Sequence, residues 1–298
     1  MGPQLLGWLE EPGVVEIMLN PDATLWVERQ AQGTRHEGSM ERSRAETFIN
    51  VVAACLGRTI TARDPVLECT LPFNGSRFEA TIPPIVEGPS FTIRRPAEKI
   101  YTLDQYVEQG ILSPQARRVL RAAVVEHKNI LVAGGTGSGK TTLVNAIIHE
   151  IDKETPDDRP VIIQDINELQ CQARNKVELF TSDEVDMTRL LRVTMRYRPD
   201  RIIVGEVRGP EALALLKAWN TGHPGGVATV HANDCPSALV RIEQLILEGS
   251  ASPASKTIGD AVDIIVNIAR TPNGRVVREI VSVKGYGADG YQLEELKV

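Results

Sequence analysis

The chain has 298 residues, of which 42% are hydrophobic and 24% charged, and its formal net charge is −6 at pH 7. These proportions are typical of globular proteins and exclude a disordered chain, while the acidic excess argues against a protein whose main task is to coat nucleic acid. The length predicts two domains, or one large one.

The N-terminal third mixes strand-like and helical patterns. β-rich runs separated by Asn-Pro-Asp, Asn-Gly and Pro-Pro turns predict short strands, and apolar side chains at helical spacing predict one helix over 42–56. The predicted strands are Val14–Leu19, Thr24–Val27, Val66–Leu71, Ser76–Ile82 and Ser90–Arg95. We therefore expect a mixed α/β domain over residues 1–97, followed by a linker with one short helix over 98–112.

A different pattern begins at Ser113-Pro114, a helix cap with proline at the first helical position, and defines a second domain over 113–298. Strand-like runs now alternate with helical patterns, which predicts a mainly parallel sheet covered by helices. The predicted strands are Ile130–Ala133, Val161–Gln164, Arg201–Val204 and Val227–Val230, and the predicted helices cover 139–151 and 186–198 or begin at Pro210 and Pro236. A β-hairpin is predicted near the C-terminus from Ile264–Ala269, a Pro272-Asn273-Gly274 turn and Arg275–Val283.

Residues 134–141, GGTGSGKT, match the phosphate-binding pattern G-x-x-x-x-G-K-[ST] at every fixed position. The flanking strand and amphipathic helix argue against an ordinary glycine-rich turn. Glycines let backbone N–H groups converge on phosphate oxygens, and Lys140 is expected on the β- and γ-phosphates with the Thr141 hydroxyl on Mg²⁺. The predicted nucleotide-binding residues are Gly135, Thr136, Gly137, Ser138, Gly139, Lys140, Thr141 and Thr142.

Two predicted strands of this domain end in acids. The motif QDINEL contains Asp165 and Glu168, and the motif GEVR contains Glu206. A nucleotide hydrolase needs an acid near Mg²⁺ and a group that orients water, and the carboxyl ends of parallel strands face the ligand crevice. Spacing alone does not say which acid has which role, and each acid could instead cap a loop.

Histidines and arginines add further candidates. His223 precedes the strand Val227–Val230 and His231 follows it, so the two lie at opposite ends and could not easily share a ligand. A lone histidine is usually structural, and each of the two could be so here. One helix face carries three arginines, which form either a solvated basic surface or a subunit interface that acts on a neighbour's nucleotide. These three are Arg189, Arg192 and Arg196.

The ordered set GGTGSGKTT, QDINEL, RPDRIIVGEVRGPEA and TGHPGGVATVHAND resembles the secretion traffic ATPase superfamily of RecA-like hexameric motors. The resemblance covers nearly the whole chain, including EIMLNPDATLWVER and FTIRRP, and is strongest for the conjugal-transfer branch, the TrbB-type ATPases of type IV secretion systems. It implies an α/β fold with a PAS-like N-terminal domain and a RecA-like P-loop NTPase domain.

The resemblance also implies roles for individual residues. Glu168, the last acid of the aspartate box, is implied as the catalytic acid that polarises water, and Glu206 as the residue on the magnesium side of an atypical Walker B motif. His223 and His231 fall in a histidine box that links the nucleotide site to its neighbours. With Lys140, the implied catalytic residues are Glu168, Glu206, His231 and an N-terminal arginine, Arg94.

Arg94, in FTIRRP, matches an arginine that reaches the phosphates in the closed state, and Arg77, in NGSRFEA, is a weaker match to a second one. Arg208, in GEVR, also matches, with a less defined role. The chain departs from the family at Gln164, where a second acid is common. It also lacks the tetracysteine motif of type II secretion and many pilus-assembly members, although retraction-type pilus motors lack that motif too.

We therefore expect a homohexameric ATPase that uses ATP and Mg²⁺ to power a type IV secretion or conjugal DNA-transfer apparatus. The resemblance implies inner-membrane apparatus proteins, including other transfer ATPases, as partners. Short apolar runs and the absence of a signal-peptide pattern suggest a cytoplasmic protein, placed by the resemblance peripherally on the inner membrane. The alternatives are a type IV pilus assembly or retraction motor and a RecA-like nucleic-acid-dependent ATPase; no sequence-specific nucleic-acid contact is expected.

Overall fold

The computed structural model describes residues 2–30, 32–96, 100–182, 184–272 and 274–296. The chain divides into two compact units, Met1–Glu98 and Lys99–Val298. Within the described residues, no helix has the length and apolar character needed to cross a membrane.

The first unit contains a six-stranded antiparallel sheet in the order β3-β2-β1-β6-β5-β4. Its strands are β1 (Val14–Leu19), β2 (Thr24–Arg29), β3 (Gly33–Ser39), β4 (Val66–Thr70), β5 (Arg77–Thr81) and β6 (Ser90–Arg94), and its helices are α1 (Pro3–Glu10) and α2 (Arg42–Cys55). Phe48 of α2 packs edge-on against Phe78 and Phe91, with ring centroids 5.5 and 5.3 Å apart, and so joins the helix to the sheet.

The second unit is built around an eight-stranded sheet in the order β14-β13-β12-β7-β11-β10-β8-β9. Its strands are β7 (Ile130–Ala133), β8 (Pro160–Gln164), β9 (Val177–Phe180), β10 (Arg201–Val204), β11 (Val227–Val230), β12 (Ile264–Thr271), β13 (Gly274–Gly287) and β14 (Gly290–Leu296). Its helices are α3 (Leu103–Glu108), α4 (Pro114–Val125), α5 (Lys140–Glu154), α6 (Met187–Thr194), α7 (Glu211–Asn220), α8 (Cys235–Leu247) and α9 (Ser255–Ala261).

Helices cover both faces of this second sheet. Side chains from α3, α4 and α5 share one buried cluster with Ile130 and Val132, whereas α6 to α9 share the other with Leu131 and Ala133. Successive residues of a strand point to opposite faces, so a strand covered on both sides has to be apolar throughout. The run ILVA of β7 meets this requirement.

The α/β class and the mainly parallel sheet predicted from the sequence are confirmed. β12, β7, β11, β10, β8 and β9 pair in parallel, and the predicted C-terminal hairpin is formed by β12 and β13, which pair antiparallel and are extended by β14. Asn273 of its predicted turn lies outside the described residues. The helix predicted over 186–198 is shorter, since α6 ends at Thr194.

The segment predicted as a linker with one short helix, residues 98–112, contains one helix, α3, but it is more closely packed than a linker. From Leu103 onward it contributes side chains to the core of the second unit, because Leu103, Tyr106 and Leu112 are buried there. Thr102 caps α3 with a reciprocal hydrogen-bonded box to Gln105. Residues 98 and 99 lie outside the described residues.

Candidate nucleotide-binding site

The loop between β7 and α5 has a backbone that requires glycine. Gly137 and Gly139 have φ of +69° and +99°, in the left-handed region that side chains disfavour. A Cβ on Gly134 would lie 2.4 Å from the carbonyl oxygen of Ile268. Gly135, Thr136 and Gly137 are exposed, so the loop offers its backbone to a ligand at the N-terminus of α5.

Lys140 lies across this loop. Its ammonium donates hydrogen bonds to the carbonyl oxygens of Gly134 and Gly135, over 2.9 and 3.0 Å. Burial lowers the pKa of Lys140, and the charge of Glu206 opposes this effect. Within the described part of the chain, Lys140 has no carboxylate within ion-pair distance, so its charge remains available to an anion in the loop.

Glu168 is held beside the first turn of α5 by several hydrogen bonds. The Thr141 hydroxyl donates to Glu168 Oε2 over 3.4 Å, and the Asn145 side-chain amide donates to the Glu168 carbonyl over 3.0 Å. From the other side, Gln164 Oε1 accepts the backbone N–H groups of Glu168 and Leu169 over 3.0 and 2.9 Å. The carboxylate of Glu168 is thereby placed next to the hydroxyl of the phosphate-binding loop.

Glu206 belongs to a row of alternating charges. Its Oε1 lies 2.7 Å from His231 Nε2, and its Oε2 accepts hydrogen bonds from Arg208 Nε and Nη2 over 2.8 and 2.5 Å. Arg208 Nη1 is also 3.5 Å from Asp165 Oδ2. The row therefore connects the ends of β8, β10 and β11.

His231 connects this row to Lys140, since its Nε2 is 3.3 Å from the lysine Nζ. Burial lowers the pKa of His231, as do the nearby charges of Lys140 and Arg208, while Glu206 opposes them. The lowered pKa favours the neutral imidazole at neutral pH. If Nε2–H donates to Glu206, the same nitrogen does not accept from Lys140, and the 3.3 Å contact with the ammonium is one of proximity only. A neutral donor between a carboxylate and an ammonium can respond to a change in either charge.

The structure places the sequence-predicted residues in three regions. Lys140, Thr141, Glu168, Glu206 and His231 converge at the carboxyl edge of the second sheet. His223 lies near the opposite edge, with its Nδ1 2.9 Å from the Pro199 carbonyl oxygen. Arg94 and Arg77 are directly opposite each other on β6 and β5 of the first unit.

The three arginines predicted on one helix face lie in and after α6. Arg189 and Arg192 are exposed on the helix, and Arg196 is exposed beyond its end. The described contacts do not assign them a ligand.

Sequence reasoning missed two residues that position Glu168. Asn145 is a polar residue among the buried side chains of α5, and Gln164 is the polar last residue of a buried strand. Buried polar side chains are normally hydrogen-bonded, so a polar residue within each of these apolar segments was a sign of a hydrogen-bonding role. Their common partner, the Glu168 backbone, could not be read from the sequence.

A comparison with protein families matches residues 16–283 to the family described as "Type II/IV secretion system protein". The chain belongs to this family. A probable conjugal transfer protein TrbB of Sinorhizobium fredii is 51% identical to it over 294 residues, which is 99% of this chain and 90% of that protein. The resemblance inferred from the sequence motifs, including its conjugal-transfer branch, is thus confirmed.

Two solved structures of ATPases have a similar fold. The VirB11 ATPase of the Brucella suis type IV secretion system, in complex with sulphate, matches with a TM-score of 0.52 and 28% identity over 93% of this chain and 92% of that chain. The ATPase DotB of Legionella pneumophila matches with a TM-score of 0.68 and 18% identity, over 94% of this chain and 79% of that chain.

Proposed function

We propose that this protein is an ATPase motor of a type IV secretion or conjugal-transfer apparatus. The observation that carries the proposal is the convergence of the phosphate-binding loop, Glu168 and the Glu206–His231 pair at one edge of the sheet. The 51% identity to a probable conjugal transfer protein supports the biological setting. The VirB11 and DotB structures are both of proteins named as ATPases.

The loop fits the phosphates of a nucleotide. Its exposed residues present backbone N–H groups, and the Lys140 ammonium lies across their carbonyl groups. The Ser138 hydroxyl oxygen is buried and has no hydrogen-bond partner among the described residues, so it is free to pair with a phosphate oxygen. These features supply the donors and the positive charge that a triphosphate requires.

The oxygen atoms around Thr141 also suit Mg²⁺. The Thr141 hydroxyl and the Glu168 carboxylate beside it are hard ligands, and the Glu206 carboxylate, beside His231, supplies a further one at the same edge of the sheet. This sparse protein donor set fits Mg²⁺, which is usually held by one or two protein groups together with phosphates and water. When bound there, the ion would neutralise charge that develops on the phosphates.

Hydrolysis requires a water oxygen to attack the γ-phosphorus while the bond to the β,γ-bridging oxygen breaks, giving ADP and phosphate. Glu168 is suited to orient and polarise this water, because its carboxylate lies beside Thr141 and its backbone is held on two sides. Lys140 would stabilise the charge on the β- and γ-oxygens. Glu206 would act on the magnesium side, with His231 and Arg208 holding its carboxylate.

We further propose that the motor is a homohexamer attached peripherally to the cytoplasmic face of the inner membrane, where it acts with other proteins of the apparatus. Arg94 and Arg77 would reach the phosphates from the first unit when the ring closes on nucleotide. Their adjacent positions on β6 and β5 support a joint role. Closing and opening around the ring would convert hydrolysis into movement.

The test is ATP turnover measured together with mass by light scattering, with and without DNA. Lys140→Ala should lose nucleotide binding, whereas Glu168→Gln should bind ATP and lose turnover, because it retains the shape of the side chain without its charge. Arg94→Ala should retain partial turnover. DNA-independent turnover by a nucleotide-promoted hexamer is the expected result; a monomer that hydrolyses ATP only with DNA would contradict the proposal and favour a nucleic-acid-dependent ATPase.

A further inference from the structure

The β12–β13 hairpin lies directly against the phosphate-binding loop. A Cβ built on Gly139 would lie 2.9 Å from Arg275 Cδ, 3.2 Å from Arg275 Nε and 3.7 Å from Ile268 Cδ1. The stem of Arg275 therefore crosses the last glycine of the loop, where α5 begins. The residue is nevertheless exposed, so the site is open to solvent and to a ligand.

A second arginine lies opposite the first. Arg270 of β12 is the register partner of Arg275 of β13, and directly opposed residues of antiparallel strands share a face of the sheet. Like charges in such a pair are destabilising. Within the described part of the chain, neither guanidinium forms an ion pair or a side-chain hydrogen bond with a protein group, so no described carboxylate offsets this repulsion.

The order of the strands indicates which part of a nucleotide this pair would meet. β7, which leads into the loop, lies between β11 and β12. Lys140, His231 and Glu206 meet on the β11 side, which is therefore the side of the terminal phosphate. The β12 side, with Arg275 and Arg270, would then face the other end of a bound polyphosphate, where the α-phosphate joins the sugar.

We propose that Arg275, assisted by Arg270, binds the α-phosphate of the nucleotide and contributes to the affinity for ATP and ADP alike. The proposal rests on the proposed function only in that the loop takes a nucleotide; it does not depend on hydrolysis. A guanidinium in this position gives charge-assisted hydrogen bonds to phosphate oxygens. It also gives a reason for two arginines to lie opposite each other beside an anion-binding loop.

The test is calorimetric titration of the full chain with ADP, with a non-hydrolysable ATP analogue and with inorganic pyrophosphate. Arg275→Ala should weaken the binding of both nucleotides to a similar extent, with a Kd about tenfold higher, which corresponds to about 1.4 kcal/mol. Pyrophosphate, which has no α-phosphate ester, should bind as it does to the wild type. Arg275→Lys should recover part of the affinity, because it restores the charge without the planar fork.

Arg278→Ala is the matched control, since Arg278 is also an exposed arginine of β13 but lines a cavity with Val107 and Pro114, away from the loop. It should leave all three affinities unchanged. In steady-state turnover, Arg275→Ala should raise KM and leave kcat within about twofold. A melting temperature equal to that of the wild type would show that the fold is retained.

The outcomes separate this proposal from the proposed function. The α-phosphate assignment would be overturned if Arg275→Ala kept its nucleotide affinity, or if it lost as much affinity for pyrophosphate as for the nucleotides. Hydrolysis could still be observed in either case. If Arg275→Ala binds nucleotide more weakly than the wild type, and the wild type itself shows no ATP turnover, the α-phosphate assignment is supported and the proposed ATPase activity is contradicted. A wild type that binds no nucleotide would overturn both.

Discussion

Gln164 holds Glu168 through its side-chain amide oxygen, which lies 3.0 Å from the Glu168 backbone nitrogen and accepts its hydrogen bond. The same oxygen accepts the N–H of Leu169 over 2.9 Å. A carboxylate at this position could accept both bonds but would add a buried negative charge near Asp165 and Glu168, which is unfavourable. The glutamine that departs from the family pattern therefore retains the acceptor without the charge.

Gln164→Leu should lower ATP turnover, because it leaves the buried Leu169 N–H without its acceptor and leaves the Glu168 N–H only its bond to the Ile166 carbonyl oxygen. We expect a decrease in kcat of about tenfold or more with nucleotide affinity retained, since Gln164 does not belong to the phosphate-binding loop. Steady-state kinetics combined with ADP titration measures both quantities. Gln164→Glu is the matched variant that retains the acceptor; equal turnover in Gln164→Leu and the wild type would contradict the positioning role.

His231→Ala and His223→Ala should differ sharply in turnover. Removing His231 leaves one oxygen of Glu206 without its donor beside the loop, and we expect turnover to fall on the order of 10²-fold. Removing His223, near the opposite edge, breaks a bond to the Pro199 carbonyl oxygen and should leave turnover within about threefold. Parallel ATPase assays of the two variants test this, and similar losses in both would count against the separation of the two histidines.

Gly134→Ala and Gly135→Ala should differ in stability although they are neighbours. A Cβ at Gly134 would meet the Ile268 carbonyl oxygen and the Ser138 hydroxyl at 2.4 and 2.5 Å, whereas at Gly135 it meets nothing within 4 Å. We expect Gly134→Ala to lower the free energy of unfolding by about 1–3 kcal/mol and to weaken ADP binding. Urea unfolding should show little change for Gly135→Ala, and equal stability of both variants would refute the steric argument.

The buried Arg201–Asp158 pair should make stability depend on pH. Arg201 Nε donates to Asp158 Oδ2 over 2.6 Å. Burial alone would raise the pKa of Asp158, but the hydrogen bonds and charge of Arg201, Thr155 and His127 outweigh it and lower the pKa. Because the folded-state pKa is the lower one, this stabilisation is complete above the unfolded pKa of about 3.9 and is lost as pH falls through the folded-state value.

Asp158→Asn should therefore lower the free energy of unfolding by about 3 kcal/mol at neutral pH. The variant should also lose less stability than the wild type when the pH falls below about 4. Asp157→Asn, which changes an exposed neighbour, is the control. Urea titrations over this pH range measure the difference; parallel curves for Asp158→Asn and the wild type would exclude the pair as the source of the pH dependence.

Alkylation by iodoacetamide should distinguish the four cysteines. Cys55 is exposed, whereas Cys171 and Cys235 are buried. Burial raises the pKa of the Cys171 thiol to about 12 and raises that of Cys235 as well, so little thiolate is present to react. Mass spectrometry of the folded protein should find Cys55 modified first, and early modification of Cys235 would show that α8 does not stay packed.

Periodicity and turn residues predicted most of the second unit, because its central strands β7, β8, β10 and β11 are buried throughout and helices alternate with them. They missed β3, since GTRHEGS has no apolar alternation and lies at a sheet edge. They also missed the packing of Leu103 and Tyr106, which depends on a distant partner surface. Within the site, the motifs identified the charged residues, but Asn145 and Gln164 act through backbone groups that only the fold brings near. The roles of Arg94 and Arg77 stay predictions.

Arg201 has a wider consequence for how the second unit can move. Its guanidinium donates to the Gly225 and Val124 carbonyl oxygens and to the Thr155 hydroxyl. It therefore joins the first residue of β10 to the segments that precede β7, β8 and β11, at the amino-terminal edge of the sheet. The opposite edge is joined by the charged side chains of Glu206, Arg208 and Asp165. If the protein works as proposed, nucleotide would change the pairing at this edge only, and the loops there would move while the spacing of the strands stays fixed by Arg201.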